Sequence, residues 1–174
     1  MGQQPFETIL EAHHAEIYRY LVRVTFRRTE AEDLAQETFL RAYRAYRTLP
    51  PDANLRAWLF TIATNCARNH FRAERRRRRA HEAVRAVRSE RDDGARPDGQ
   101  TLFNEARERL DGVVARLPFK QRLAFVLRKI HELDYEAVAA SLGCSAESAR
   151  AHVFQALKKI RRDLTELPTM EPQR

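Results

Sequence analysis

The sequence predicts an all-α fold: two small helical domains joined by a flexible linker, the second a helix-turn-helix domain. Three observations predict it. Apolar residues recur at three- and four-residue steps through most of the chain, the period of an amphipathic helix. The pattern breaks in a polar stretch at about residues 80–101, which holds Gly94, Pro97 and Gly99 and almost nothing apolar. Beyond the break, a short helical pattern, a glycine and a basic helical pattern follow one another. The chain has 174 residues, enough for one ordinary domain or two small ones.

The first helix is expected over residues 6–26, where Phe6, Ile9, Leu10, His13, Ile17, Leu21 and Val24 share a face. A second starts near Thr29, with Glu32 three residues on at capping-box spacing. Its stripe is Leu34, Ala35, Thr38, Ala42 and Tyr46, with Phe39 beside it, and it stops before Pro50-Pro51. A third runs from about Asn54 into Arg75–Arg79, burying Leu55, Trp58, Leu59, Ile62, Ala63 and Cys66. Arg56, Asn65, Arg68, Asn69 and Arg72 fall largely on its other faces, as a plain solvated surface or as donors to phosphates and base edges. Trp58 and Phe60 read as core or as flanks for unpaired bases, with core preferred for Trp58.

Residues 102–115 read as a fourth helix on Leu102, Leu110, Val113 and Val114. The stretch from Pro118 gives a fifth, striped by Leu123, Val126, Leu127 and Ile130. A short helix follows at Tyr135–Leu142 and closes on Gly143, where a positive φ is cheap. Ser145 then caps a last helix that turns Ala149, Val153, Ala156, Leu157 and Ile160 inward. Arg150, His152, Lys158, Lys159, Arg161 and Arg162 face outward. Such a basic second helix fits a DNA major groove, although helix pairs of this kind also occur in purely structural bundles.

The charge is distributed unevenly. The chain carries 32 Lys+Arg against 24 Asp+Glu, a net +8 that points to an anionic partner. Residues 1–71 are nearly neutral, whereas residues 72–100 hold half of the net charge. Charged residues at 32% exclude a membrane protein, and hydrophobic residues at 43% exclude a fully disordered one. No apolar run approaches a bilayer span and no signal peptide is visible, so direct membrane insertion is not expected and the expected location is cytoplasmic. Cys66 and Cys144 are too far apart in sequence for metal-ligand spacing, and no cofactor is expected. Glu7, Glu11 and Glu16 with His13 and His14 lack the H-E-x-x-H pattern. With no Gly-rich phosphate loop or nucleophile elbow either, an enzyme is not expected.

Three ordered segments are more specific than these patterns. Ala31-Glu32-Asp33-Leu34-Ala35-Gln36-Glu37-Thr38-Phe39-Leu40-Arg41-Ala42-Tyr43 resembles the polymerase-binding segment of bacterial RNA polymerase sigma factors of the sigma-70 family, extracytoplasmic-function group. Leu55 through Asn65, ending near Arg68-Asn69, resembles that family's promoter-opening helix. Leu117-Pro118 through Arg122, Tyr135–Ala139 and Gly143 through Arg161 resemble its second promoter-reading domain. The resemblance covers about 10–75 and 105–165. It implies domain 1–79 for core polymerase and the minus-10 element, linker 80–101, and domain 102–174 for the minus-35 element.

The resemblance also implies residue roles. Asp33, Gln36, Glu37, Phe39 and Arg41 are expected to contact core RNA polymerase. Asn54, in the loop expected to capture an unstacked base, and Arg56, Trp58, Asn65, Arg68, Asn69 and Arg72 are expected at the minus-10 DNA. Ser145, Glu147, Ser148, Arg150, Ala151 and Phe154 are expected at the minus-35 DNA, with Lys158, Lys159 and Arg162 on its phosphates. Arg150 suits guanine, and Ala151 or Phe154 a thymine methyl, unless Phe154 is core. His152 and Gln155 stand where the family commonly has arginine, which weakens the phosphate grip. The implied partners are core RNA polymerase, promoter DNA and an anti-sigma factor, often membrane-tethered. The main alternative is a stand-alone helix-turn-helix regulator whose first unit is a dimerisation or effector domain.

Overall fold

A computed structural model describes residues 4–84 and 102–166, and every described element is helical. Helix α1 spans Phe6–Thr25 and turns Ile9, Ile17, Tyr20, Leu21 and Val24 into the core. It ends at Phe26, whose backbone is left-handed (φ 59°) and whose N–H reaches the Val22 carbonyl at 2.8 Å.

Helix α2, Arg28–Tyr46, buries the expected stripe of Leu34, Ala35, Thr38, Ala42 and Tyr46. Its start differs from expectation. The helix begins at Arg28, and no side chain caps it. Thr29 is already inside the first turn, where its hydroxyl cannot serve as the cap. The Thr25 hydroxyl instead accepts the Arg27 N–H at 3.2 Å, and Arg27 pairs with Glu30 at 2.7 Å.

Helix α3 runs from Leu55 to Val84, 30 residues, after Asn54 Oδ1 accepts the Ala57 N–H at 3.0 Å. It passes the expected boundary at residue 79 because nothing breaks it there. Ala80 is a strong helix former, and an Arg78–Glu74 pair supports the preceding turn. Residues 85–101, most of the expected linker, lie outside the described residues, as does the tail beyond 166. The buried face of α3 is shifted from the expected one: Leu59, Ala63 and Cys66 are buried with Phe60, Thr64 and Ala67, while Leu55, Trp58 and Ile62 are only half-buried. It packs against α1 and α2 on one side and against the second unit on the other.

The second unit begins with α4, Leu102–Ala115, and α5, Phe119–Phe125, which continues into a π-helical turn, Val126–Ile130. Helix α6, Tyr135–Leu142, is capped by Asp134, whose carboxylate accepts the Ala137 N–H at 2.7 Å. It ends on Gly143 at φ 62°, as expected for a glycine cap. Helix α7, Ala146–Glu166, starts under Ser145, whose Oγ accepts the Ser148 N–H at 3.1 Å. Ala149, Val153, Ala156 and Ile160 are buried against α4, α5 and α6. No described helix is long and apolar enough to cross a membrane.

The two units pack together, α3 lying along α6 and α1 against the π turn. Their buried apolar residues form one continuous core, with Phe71 and Phe119 rings 4.6 Å apart across the seam, and three of the polar contacts share a pattern: arginines cap helix ends of the opposite unit. Arg56 Nη2 donates to the His131 carbonyl at 2.5 Å, where the π turn closes. Arg68 Nη1 donates to Leu142 O at 3.2 Å, in the last turn of α6. Arg122 Nη1 donates to Val24 O at 2.9 Å, in the last turn of α1. Terminal carbonyls lack intrahelical partners and carry partial negative charge, so a guanidinium satisfies both needs.

Candidate functional site

The exposed face of α2 is built from residues out of phase with its core stripe. Asp33 and Gln36 are exposed, Glu37 is half-buried, and Arg41 Nε donates to Glu37 Oε1 at 2.6 Å. Hydrogen bonding to Glu37 holds Arg41 firmly protonated. Phe39 does not join this face. It is buried, with its ring 5.6 Å from that of His14 on α1, because its position faces the α1 seam. Its place in the expected polymerase set is therefore corrected: it shapes the face from beneath. Sequence reasoning missed Leu40 and Tyr43, which are 46% and 57% exposed on the same surface. Their signal was available, since two large apolar residues outside a complete helical stripe have no core to enter.

The expected minus-10 set divides into three groups. Asn65, Asn69 and Arg72 are exposed on α3. Trp58 is half-buried, and Phe60 is wholly buried, edge-on to Tyr20 at 5.2 Å, so its reading as a flank for unpaired bases is excluded in this arrangement. Asn54 is exposed but committed to its cap.

Arg56 and Arg68 form the third group, already engaged by the second unit. Arg56 also grips Glu16 through Nε at 3.1 Å and Nη2 at 2.5 Å. That hydrogen bond is the main reason the Glu16 carboxyl titrates below the ordinary range. The His131 Nδ1 lies 3.4 Å from the same carboxylate, with its ring 4.9 Å from Phe60. Burial outweighs the carboxylate and pushes the His131 pKa down. Beside this cluster, Thr61 Oγ1 and Ser141 Oγ lie 3.1 Å apart across the units. Sequence periodicity holds no signal for these cross-unit pairs, because each partner is an ordinary polar position of its own helix.

On α7, the expected minus-35 residues form a solvent-facing strip. Ser145, Glu147, Arg150, Ala151, Lys158 and Arg162 are exposed, while Ser148 and Lys159 are half-buried. Phe154 is 64% exposed and therefore not core. With Leu157, Lys158, Arg161, Arg162 and Thr165 it lines a shallow groove. Arg162 is held by Asp163 at 2.9 Å. Arg150 lies with its guanidinium carbon 5.0 Å from the centroid of the Tyr135 ring. Cys66 is buried and its thiol is pushed up by burial, the state of a core residue rather than a nucleophile. Among the described residues, no group of three or more His, Cys, Asp or Glu is arranged to hold a metal ion.

Comparison with known proteins finds relatives along most of the chain. Residues 9–77 match the family model for Sigma-70 region 2, and residues 107–160 match that for Sigma-70, region 4. The chain is 30% identical over 172 residues to the RNA polymerase sigma-H factor of Pseudomonas aeruginosa, across 95% of this chain and 89% of that protein. It is 30% identical over 138 residues to the ECF RNA polymerase sigma-E factor of Escherichia coli K12, across 75% of this chain and 72% of that protein. Among solved structures, the fold resembles the sigma factor RpoE of Bartonella quintana, in complex with the anti-sigma factor NepR. That match has a TM-score of 0.72 at 23% identity and covers 94% of this chain and 98% of that one. It also resembles CnrH, in complex with the cytosolic domain of CnrY, at a TM-score of 0.65 and 23% identity over 92% and 87% of the two chains.

Proposed function

The chain belongs to the sigma-70 family of RNA polymerase sigma factors, in its extracytoplasmic-function group, and we propose how its surfaces share the family's work. As a sigma factor it binds core RNA polymerase and directs that enzyme to promoters. The exposed face of α2 docks on the core enzyme. The observation that carries this assignment is the partly exposed apolar pair Leu40 and Tyr43, the Tyr43 ring edge-on to Phe6 at 5.4 Å, with Asp33, Gln36, Glu37 and Arg41 on the same helix face. An apolar centre with a charged rim is the composition of a protein-binding surface. Helix α3, through its cap Asn54 and through Arg56, Trp58, Asn65, Arg68, Asn69 and Arg72, holds the opened minus-10 strand. Helix α7 enters the major groove at the minus-35 element.

This assignment sets a conformational requirement. Arg56 and Arg68 already donate to carbonyls of the second unit. They cannot make those bonds and grip a DNA strand together, so the units part when promoter DNA is held. An anti-sigma factor, membrane-associated and meeting this chain in the cytoplasm, is the regulatory partner in this reading. The similar RpoE of Bartonella quintana is in complex with an anti-sigma factor, NepR, and the closed arrangement is the form that an anti-sigma factor would hold here.

Purified core enzyme tests the assignment. Asp33→Lys or Glu37→Lys is expected to weaken core binding at least about tenfold, in a pull-down and in reconstituted transcription, with the melting temperature unchanged. Unchanged core binding in both variants would reject the α2 face. Tight sequence-specific DNA binding by the isolated chain, with no core association, would favour a stand-alone regulator.

A further inference from the structure

Arg150 is exposed and mid-strip on α7, and a long guanidinium side chain is costly to order when it must meet a base edge in one geometry. The structure supplies a device for ordering it. Tyr135, the first residue of α6, is half-buried behind its Asp134 cap. Its ring lies 5.0 Å from the guanidinium carbon of Arg150 and 5.0 Å from that of Arg128. Arg128 is itself tied down, its Nη1 donating to Leu133 O at 3.3 Å. The ring is thus fixed at the start of α6 by backbone capping and by Arg128, and it presents a π face to α7. On the open side, Glu136 Oε1 stands 3.9 Å from Arg150 Nη2.

We propose that Tyr135 is a positioning residue for promoter reading: its ring holds the Arg150 guanidinium in the pose from which it addresses a base edge. This rests on the assignment of α7 to the minus-35 duplex. The chemistry favours a base edge over a phosphate. Stacking on a ring leaves the in-plane N–H edges of a guanidinium free, the geometry that guanine O6 and N7 accept. The Glu136 carboxylate beside it repels a phosphate but not a neutral base. Holding the side chain before DNA arrives removes part of the ordering cost on binding. The pair Arg150–Glu136, at 56% and 74% side-chain exposure, is too open to do the holding alone, so the ring carries it.

The test measures transcription by core enzyme with the full chain on promoters randomised across the minus-35 element. Arg150→Ala is expected to abolish the preference at one base position. Tyr135→Leu is expected to relax that same position about two- to fivefold and leave the others unchanged, while Tyr135→Phe keeps the original preference. In the Arg150→Ala background, Tyr135→Leu should have no further effect at that position. Melting curves accompany each variant, and Tyr135→Met, flexible and ringless, replaces Tyr135→Leu if that chain melts early. A uniform loss across all sequences, or an equal loss with and without Arg150, overturns the proposal and makes Tyr135 a packing residue. If Arg150→Ala shifts one position and neither ringless variant does, positioning alone fails. If Arg150→Ala shifts no position, base reading by Arg150 fails and positioning with it.

Discussion

His131 shows how a residue silent in the sequence becomes informative in the fold. Buried at the meeting of the units, its ring faces Glu16, Tyr20 and Phe60, with Arg56 and Arg23 also acting on its charge. Its folded pKa is depressed, so on acidification the unfolded chain takes up a proton first. The stability that the neutral ring contributes is therefore fully present above the ordinary histidine value, about 6.5, and is lost as pH falls below it. Glu16 is also depressed, but from the ordinary value of 4.5, so its loss belongs to a lower window. Wild-type chain is expected to lose melting temperature from about pH 7.5 to 5.5, and His131→Phe to lose distinctly less over that window. Parallel slopes in thermal melts of the two proteins would refute this. The core residues themselves were legible in advance. Ile17, Leu21, Leu34, Leu59 and Val153 sit where helical spacing puts them, because burial of one stripe is a property of each helix alone. Phe39 and Phe60 were less so, since both lie where a second element covers a face that a lone helix would leave open.

At the scale of elements, capping chemistry decided the boundaries around α6 and α7. Gly143 and Ser145 punctuate the turn between α6 and α7 where the sequence puts them, because a left-handed residue and a hydroxyl acceptor are local requirements. The expected cap at Thr29 failed for an equally local reason: Thr25 captured the Arg27 N–H upstream, and the helix began early. The end of α3 was set too early because the whole polar stretch at about 80–101 was read as linker, although its glycines and proline come only later and alanine continues a helix well. The α6–α7 turn carries its own prediction. Gly143→Ala forces a side chain into a positive φ and is expected to destabilise the chain by about 1 kcal/mol. Nothing crowds the site otherwise, an added Cβ meeting Arg68 Nη1 at an ordinary 3.5 Å. Urea unfolding measures the change, and an unaltered midpoint would show that the turn tolerates the strain by shifting.

The whole molecule closes its first unit onto its second through a shared apolar core and through arginines capping helix ends, the latter announced by no sequence pattern. Closure can be trapped. Thr61→Cys with Ser141→Cys, in a Cys144→Ser background, places two thiols where hydroxyls now stand 3.1 Å apart. The oxidised chain is expected to bind core enzyme through α2, which stays uncovered, yet to lose promoter opening until a reductant is added. Full transcription by the oxidised chain would show that the units need not part. The length of α3 has a different consequence. Its last described turns carry Arg75–Arg79, all exposed, on a helix that places one residue per 1.5 Å of rise. Duplex DNA places one phosphate charge per about 1.7 Å of its axis. Two rods of opposite sign and nearly equal charge density attract before any base is touched, so this segment is expected to speed encounter with promoter DNA, most strongly at low ionic strength, and to leave the choice of promoter unchanged.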